Sequence, residues 1–202
     1  MVSFPDVPYA KGLPKLVRTT SVSRAGKRFM AAIETVDPFW QIEVESAPLA
    51  RDLIPAMRAF IDESNSALKT IVWAPTYLDV PQAYLADPAN AALADDGNLV
   101  SGTNGLTIVA NSVTNGLDIR RGDLISLVKD DYRSMHTVMT GAVASSNSIT
   151  LVVEPYIPSF ITAGAVVKFR NLELNVRMEP NSGTMTDDYL PVATFTLQEV
   201  PK

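Results

Sequence analysis

The 202-residue chain contains no cysteine and a single histidine, His136. Without cysteine there are no disulfides, no thiol nucleophiles and no thiolate metal sites, and stability does not depend on the redox state of the compartment. One histidine without any cysteine cannot furnish a zinc site of ordinary composition. Glycine is sparse, at 10 residues, and no Gly-Lys-Ser/Thr sequence follows a strand pattern, so no phosphate-binding loop is present. No run approaches the roughly 20 apolar residues that a membrane helix needs. The opening MVSFPDVPYAKGLPKL also lacks the apolar segment of a secretory signal, so a soluble protein without direct membrane insertion is expected. An excess of positive charge is missing as well. With 17 Lys and Arg against 22 Asp and Glu, the net charge is −5, and nucleic acid is not an expected partner, because phosphate binding needs a basic stripe. The densest basic group, Arg18, Arg24, Lys27 and Arg28, reads as a solvated strand-and-turn surface.

What is present is β structure. Hydrophobic residues make up 47% of the chain and charged ones 19%, enough apolar surface for a real core. From Leu117 to Val153 apolar and polar residues alternate in short runs. Leu117, Ile119 and Leu124 to Val128 precede a charged turn at Lys129, Asp130 and Asp131. Met135, Thr137 and Met139 resume the pattern, Gly141 breaks it, and Ile149, Leu151 and Val153 restore it. Period two with turn residues between runs is the signature of strands in a meander.

The flanks extend that pattern. Met1 to Leu16 carries Pro5, Pro8 and Pro14 among Phe4, Val7, Tyr9 and Leu13; proline disfavours a helix or a central strand, so an extended arm is expected. Such an apolar arm must cover either its own domain or a neighbouring subunit, and Phe4, Val7, Tyr9 and Leu13 are assigned to a subunit interface. Val17 to Val22 and Arg28 to Val36 read as strands around a turn at Ser23 to Lys27, and Phe39 to Glu45 as a separate alternating strand. Pro48 to Ser64 is the one helical stretch. Leu49, Leu53, Ala56, Met57, Phe60 and Ile61 form its apolar stripe, and Pro55, tolerated only in a first turn, places the regular helix start near itself. Ile71 to Trp73 is a short strand, and Ala74 to Asp96 a long surface loop with one helical turn. Asn104-Gly105 and Asn115-Gly116 are type I′ hairpin signals. Val166 to Phe169, Leu172 to Met178 and Ala193 to Val200 complete the strands, and Phe195, Leu197 and Glu199 share one face of the last.

No constellation points to catalysis. His136 has no Gly-x-Ser-x-Gly elbow to accompany it and reads as a strand histidine. The acid pairs Asp95-Asp96, Asp130-Asp131 and Asp187-Asp188 do not have the spacing of a Ca²⁺ loop and read as solvated turns. Arg121-Gly122-Asp123 spells an adhesion tripeptide but leads straight into the strand LISLV, as a tight turn would. No catalytic residue, metal ligand or cofactor is expected, and the chain reads as non-enzymatic.

Three stretches carry a resemblance. FWQIEVESAPLARDLIPAMRAFID, then GLDIRRGDLISLV with MHTVMTGAVASSNSITLVVEPYI, and the closing PVATFTLQEV together resemble the distal tail proteins of tailed bacteriophages. The Pro-rich opening resembles that of baseplate proteins of contractile tails. The resemblance implies a mainly β fold: a β-sandwich with one flanking α-helix, split by a small β-barrel-like insertion. Its parts would be an N-terminal arm (residues 1–16), a discontinuous ring-forming domain (17–98 with 170–202) and an inserted small β domain (99–169). It further implies a virion protein, made in the host bacterial cytoplasm, that forms a symmetric ring with copies of itself. A hexamer is favoured and a trimer is compatible, with neighbouring tail-tube and hub proteins as partners. A carbohydrate-binding β module is the alternative, with Tyr132, Tyr156, Phe160 and Tyr189 as its candidate platform.

Overall fold

The computed structural model describes residues 2–25, 29–76 and 78–201. The chain is mainly β, with one α-helix. In order, the strands are β1 (Val2–Ser3), β2 (Tyr9–Lys11), β3 (Pro14–Ala25) and β4 (Phe29–Ser46), followed by α1 (Ile54–Ser64) and β5 (Ile71–Trp73). Then come β6 (Gly97–Thr103), β7 (Thr107–Asn111), β8 (Asp118–Ile119), β9 (Leu124–Lys129), β10 (Tyr132–Thr140), β11 (Ala142–Val143), β12 (Ser148–Glu154) and β13 (Val166–Lys168). The chain closes with β14 (Leu174–Met178), β15 (Thr184–Met185) and β16 (Ala193–Glu199).

Two hydrophobic cores result. One sheet runs β1-β5-β14-β16-β4-β2, with β15 beside β16 and β3 beside β4. It forms a sandwich-like body with α1, whose buried face is Met57, Phe60, Ile61 and Ser64. Pro55 lies in the first helical turn, where its missing N–H costs nothing. Ala56, expected in the apolar stripe, is exposed, whereas Leu49 is buried ahead of the helix. The second core fills a closed barrel of six strands in the order β10-β12-β7-β6-β13-β9. Ile149, Leu151 and Val153 point inward from β12, as the alternation requires, and meet Ile108, Ile125, Leu127 and Val167. The insertion therefore lies between β5 and β14 of the sheet, and β8 pairs with β11 as a separate ribbon.

Local signals in the sequence explain several turns. Asn104 and Gly105 both have positive φ in the β6–β7 turn. Gly116 alone has positive φ at the second signal, where the chain turns into β8 instead of forming a hairpin. Gly141 is required for a different reason: a Cβ there would lie 2.1 Å from the Ile119 carbonyl oxygen.

The long loop after β5 is more ordered than its composition suggests. It contains two 3₁₀ turns, Gln82–Tyr84 and Ala91–Leu93, which lay Tyr84 and Leu93 into the barrel core. The Tyr84 hydroxyl accepts the Asp118 N–H at 2.8 Å. No described helix is long and apolar enough to cross a membrane.

The N-terminal arm covers its own domain. Phe4 stacks on Tyr9 at 5.1 Å between ring centroids and meets the edges of Phe60 and Phe195 at 5.6 and 6.2 Å. Val7 is buried in the same cluster, and the Tyr9 hydroxyl donates to the Pro5 carbonyl at 2.8 Å. Three of the four residues assigned to an interface therefore pack intramolecularly. The physical reason is that Phe60 and Phe195 leave an apolar gap that Phe4 fills, while β1 and β2 pair with β5 and β4 of the same sheet. Only Leu13, 58% exposed, faces outward.

This packing makes a test. Phe4→Ala should lower the unfolding free energy by about 2–3 kcal/mol, below the full range for Phe→Ala because Phe4 is only partly buried. Urea titration at several protein concentrations should give the same loss at each, as an intramolecular contact requires.

Candidate functional site

The feature that no core explains is the β3–β4 hairpin. Pairing runs continuously from Pro14↔Ile42 to Ala25↔Phe29. β4 is one 18-residue strand, not the two separate strands its sequence suggests. Part of the turn assigned to Ser23–Lys27 is strand, and residues 26–28 lie outside the described residues. The register shifts where Arg18 faces Asp37 and Pro38, between Val17↔Phe39 and Thr19↔Val36. Proline lacks a ladder donor and is accommodated at such irregularities. From this point outward the hairpin leaves the domain.

Beyond it the side chains on both faces are exposed, from Arg18 to Ser23 and from Ala32 to Asp37. Val22, Ile33 and Val36, at 51%, 68% and 55% exposure, have no core to enter. At about 3.3 Å per residue, the stretch from Arg18 to Ala25 reaches about 25 Å. Both edges are open as well. Among the described residues β3 pairs only with β4, while β16 pairs with β4 only from Gln41 to Glu45. Two rows of backbone N–H and C=O groups therefore lack a strand partner, a template for further pairing.

Charge is segregated between the two strands. β3 carries Lys15, Arg18 and Arg24 and no acid; β4 carries Glu34, Asp37, Glu43 and Glu45 and no base. Arg18 binds both Glu34, at 3.3 Å, and Glu154 on the barrel rim. Hydrogen bonding to Asp37, which favours the protonated phenol, raises the Tyr156 pKa. The rim thus holds the base of the hairpin and leaves its outer part free.

A cleft of about 480 Å³ lies beside that base, lined by Asp37, Phe39, Tyr156, Phe160, His136 and Glu199 among others. Glu199 is placed at the fork where β16 parts from β4. Its carboxylate accepts the Trp40 N–H at 2.9 Å, capping the first donor of the edge that β16 leaves open. Burial raises this carboxyl to about 7, against the opposing effect of that hydrogen bond.

His136 is fully buried and engaged at both ring nitrogens. Nδ1 lies 2.8 Å from the Pro155 carbonyl, which can only accept, so Nδ1 carries the proton and Nε2, 2.9 Å from Ser134 Oγ, accepts. Burial lowers its pKa to about 4, only partly offset by the Pro155 contact. Ser134 and His136 form a serine–histidine pair, yet Ser134 is 1% exposed and His136 is oriented by a carbonyl, not by a carboxylate. Such an arrangement fixes the neutral imidazole against the Pro155 carbonyl, and the Ser134 hydroxyl is buried.

The remaining sequence candidates stay apart. Asp123 of the Arg-Gly-Asp tripeptide is 4% exposed and accepts the Gln82 and Arg120 N–H groups at 2.9 and 2.7 Å, so it ties the long loop to the barrel. Asp95 accepts from Thr114, Asp130 and Asp131 form the β9–β10 turn, and Asp187 and Asp188 stand exposed before β16. Among the described residues no group of three or more metal-ligating side chains converges. Tyr132 and Phe160 stack on each other at 5.0 Å, and Tyr189 sits on a separate loop, 84% exposed.

The hairpin's length was the missed feature. Its signal lies in RTTSVS, which lacks the apolar alternation of a half-buried strand, and in the separation of bases from acids. No protein-family model matches the chain, and no curated protein matches it.

The two buried titrations act in opposite directions. The folded His136 pKa is depressed, so the unfolded chain binds a proton that the folded one refuses between pH 6.5 and about 4, and stability falls as pH drops through that window. The folded Glu199 pKa is raised, so its contribution is complete below pH 4.5 and is lost as pH rises to about 7. Glu199→Gln keeps an acceptor for Trp40 without the titration. Relative to the parent it should gain about 2–3 kcal/mol at pH 8 and almost nothing at pH 4.5, in urea unfolding. An equal difference at both values would contradict the raised carboxyl.

Proposed function

We propose that the protein is a non-enzymatic structural component of a phage tail tip or baseplate, where copies of it form a symmetric ring between the tail tube and the hub. The observation that carries this reading is the hairpin, a two-stranded projection with open edges, solvent on both faces and three uncovered apolar side chains. A lone hairpin is marginal in water, because it buries little. One maintained at this length gains its cover from a partner. The mainly β fold with a barrel inserted into a sheet agrees with what the resemblance to distal tail proteins implies. In this reading the protein acts in the virion after synthesis in the bacterial cytoplasm.

The carbohydrate-binding alternative draws less support. Three of its four aromatics meet at the cleft, but Tyr132 and Phe160 cover each other, Tyr156 is tied to Asp37, and Tyr189 is on another loop. A binding platform needs rings presented side by side to solvent.

Native mass spectrometry of the full chain at micromolar concentration tests the reading. A discrete closed assembly of identical copies is expected. Val22→Lys combined with Ile33→Lys should shift it at least tenfold toward monomer. Both positions are exposed, so unfolding free energy should change by no more than about 0.5 kcal/mol each. A parent protein that stays monomeric and also fails to join purified tails would overturn the proposal.

A further inference from the structure

We propose that the hairpins join head to tail, with the β3 edge of one copy adding to the free outer edge of β4 in the next. This deepens the ring reading and rests on it, since it names the surface through which the ring closes. Each hairpin offers two different open edges: the whole of β3 on one side, and β4 from Phe29 to Trp40 on the other. The β4 edge ends where Glu199 caps the Trp40 N–H and β16 takes over from Gln41, so an incoming strand has a defined stop.

Charge selects the partner edge. β3 is basic throughout and β4 acidic throughout. Adding β3 to β3 brings two basic strands together, and adding β4 to β4 brings two acidic ones together. Like charges directly opposite on neighbouring strands are destabilising, whereas opposite charges add support. Only β3 on β4 repeats across the joint the polarity that already exists within one hairpin, as in the Arg18–Glu34 pair. Because the two edges differ, the contact is heterologous: each copy gives one edge and receives another, which generates a ring when the rotation closes. Val22, Ile33 and Val36 then gain neighbours on the continuous sheet. A second copy is thus the occupant that the charges and the open backbone rows both fit.

The absence of cysteine makes the test direct. One set of single variants carries cysteine on β3, Thr20→Cys or Ser21→Cys, and another carries it on β4 at each position from Ala32 to Val36. Neighbouring positions face opposite sides of the sheet, so the sets sample both faces and several registers. Each variant is first matched to the parent by thermal unfolding, then mixed in dilute solution, concentrated and exposed to a mild disulfide-forming oxidant. Some β3-plus-β4 mixture should form covalent dimers at least tenfold more than either variant alone. Strong cross-linking of a β3 variant with itself would overturn the head-to-tail arrangement in favour of a twofold contact. Native mass on the same samples separates the two levels. An assembled ring with no excess cross-link in any mixture would overturn the edge pairing while leaving the ring, and monomer throughout would overturn both.

Discussion

Strand β4 pairs with β16 from Gln41 to Glu45, with β3 on its other side at Gln41 and Ile42 and β2 at Glu45, and outward from Trp40 it pairs with β3 alone. Everything distinctive about the molecule follows from that change of partner. Within the paired segment Ile42 and Val44 are buried and the strand behaves as the centre of a sheet. From Asp37 back to Ala32 the same strand is exposed on both faces. A backbone group in a sheet must be bonded or exposed to water, and the fork at Trp40 is where one condition gives way to the other. Glu199 satisfies the donor at the fork. Burying that carboxyl is electrostatically costly, and its raised pKa expresses that cost.

The two cores are joined so that the hairpin has a fixed base. Met135, from barrel strand β10, packs into the sheet core, and its carbonyl accepts the Trp40 indole N–H at 2.7 Å. Below them Glu173 binds Arg133 at 2.5 Å and also Lys168, while its N–H donates to Ser126 Oγ. Burial alone would raise the Glu173 carboxyl, yet its two cationic partners hold it below the usual value. Within the barrel His136 ties β10 to Pro155, just past β12. With Glu154 and Tyr156 added from the rim, holding Arg18 and Asp37, the barrel buttresses the hairpin at its root.

Much of this was legible in the chain. The barrel strands follow from period-two alternation because their inner faces are uniformly apolar, and α1 from an apolar stripe with a proline placed where a helix begins. The place of Phe4, Val7 and Tyr9 was not legible: an apolar prolyl arm fits a neighbour's surface or its own domain equally well, and only the gap beside Phe60 decides. Pro38 suggested a break between two strands, yet an irregularity in the ladder absorbs it and β4 runs on. The ordering of the loop after β5 depended on Tyr84, Gln82 and Asp123, which lie far apart in sequence and meet only once the barrel closes. The hairpin escaped for a related reason. A strand exposed on both faces carries no inward face for a hydrophobic pattern to record.

Amide hydrogen exchange of the hairpin as a function of protein concentration tests the central claim most directly. The account expects Thr19 to Ser23 and Ala32 to Val36 to include fast-exchanging outward amides in dilute protein, which become strongly protected at concentrations where the protein assembles, while barrel amides stay unchanged. Outward amides that exchange equally fast in dilute protein and in the assembled state would contradict it, because the open edges would then have no partner to meet.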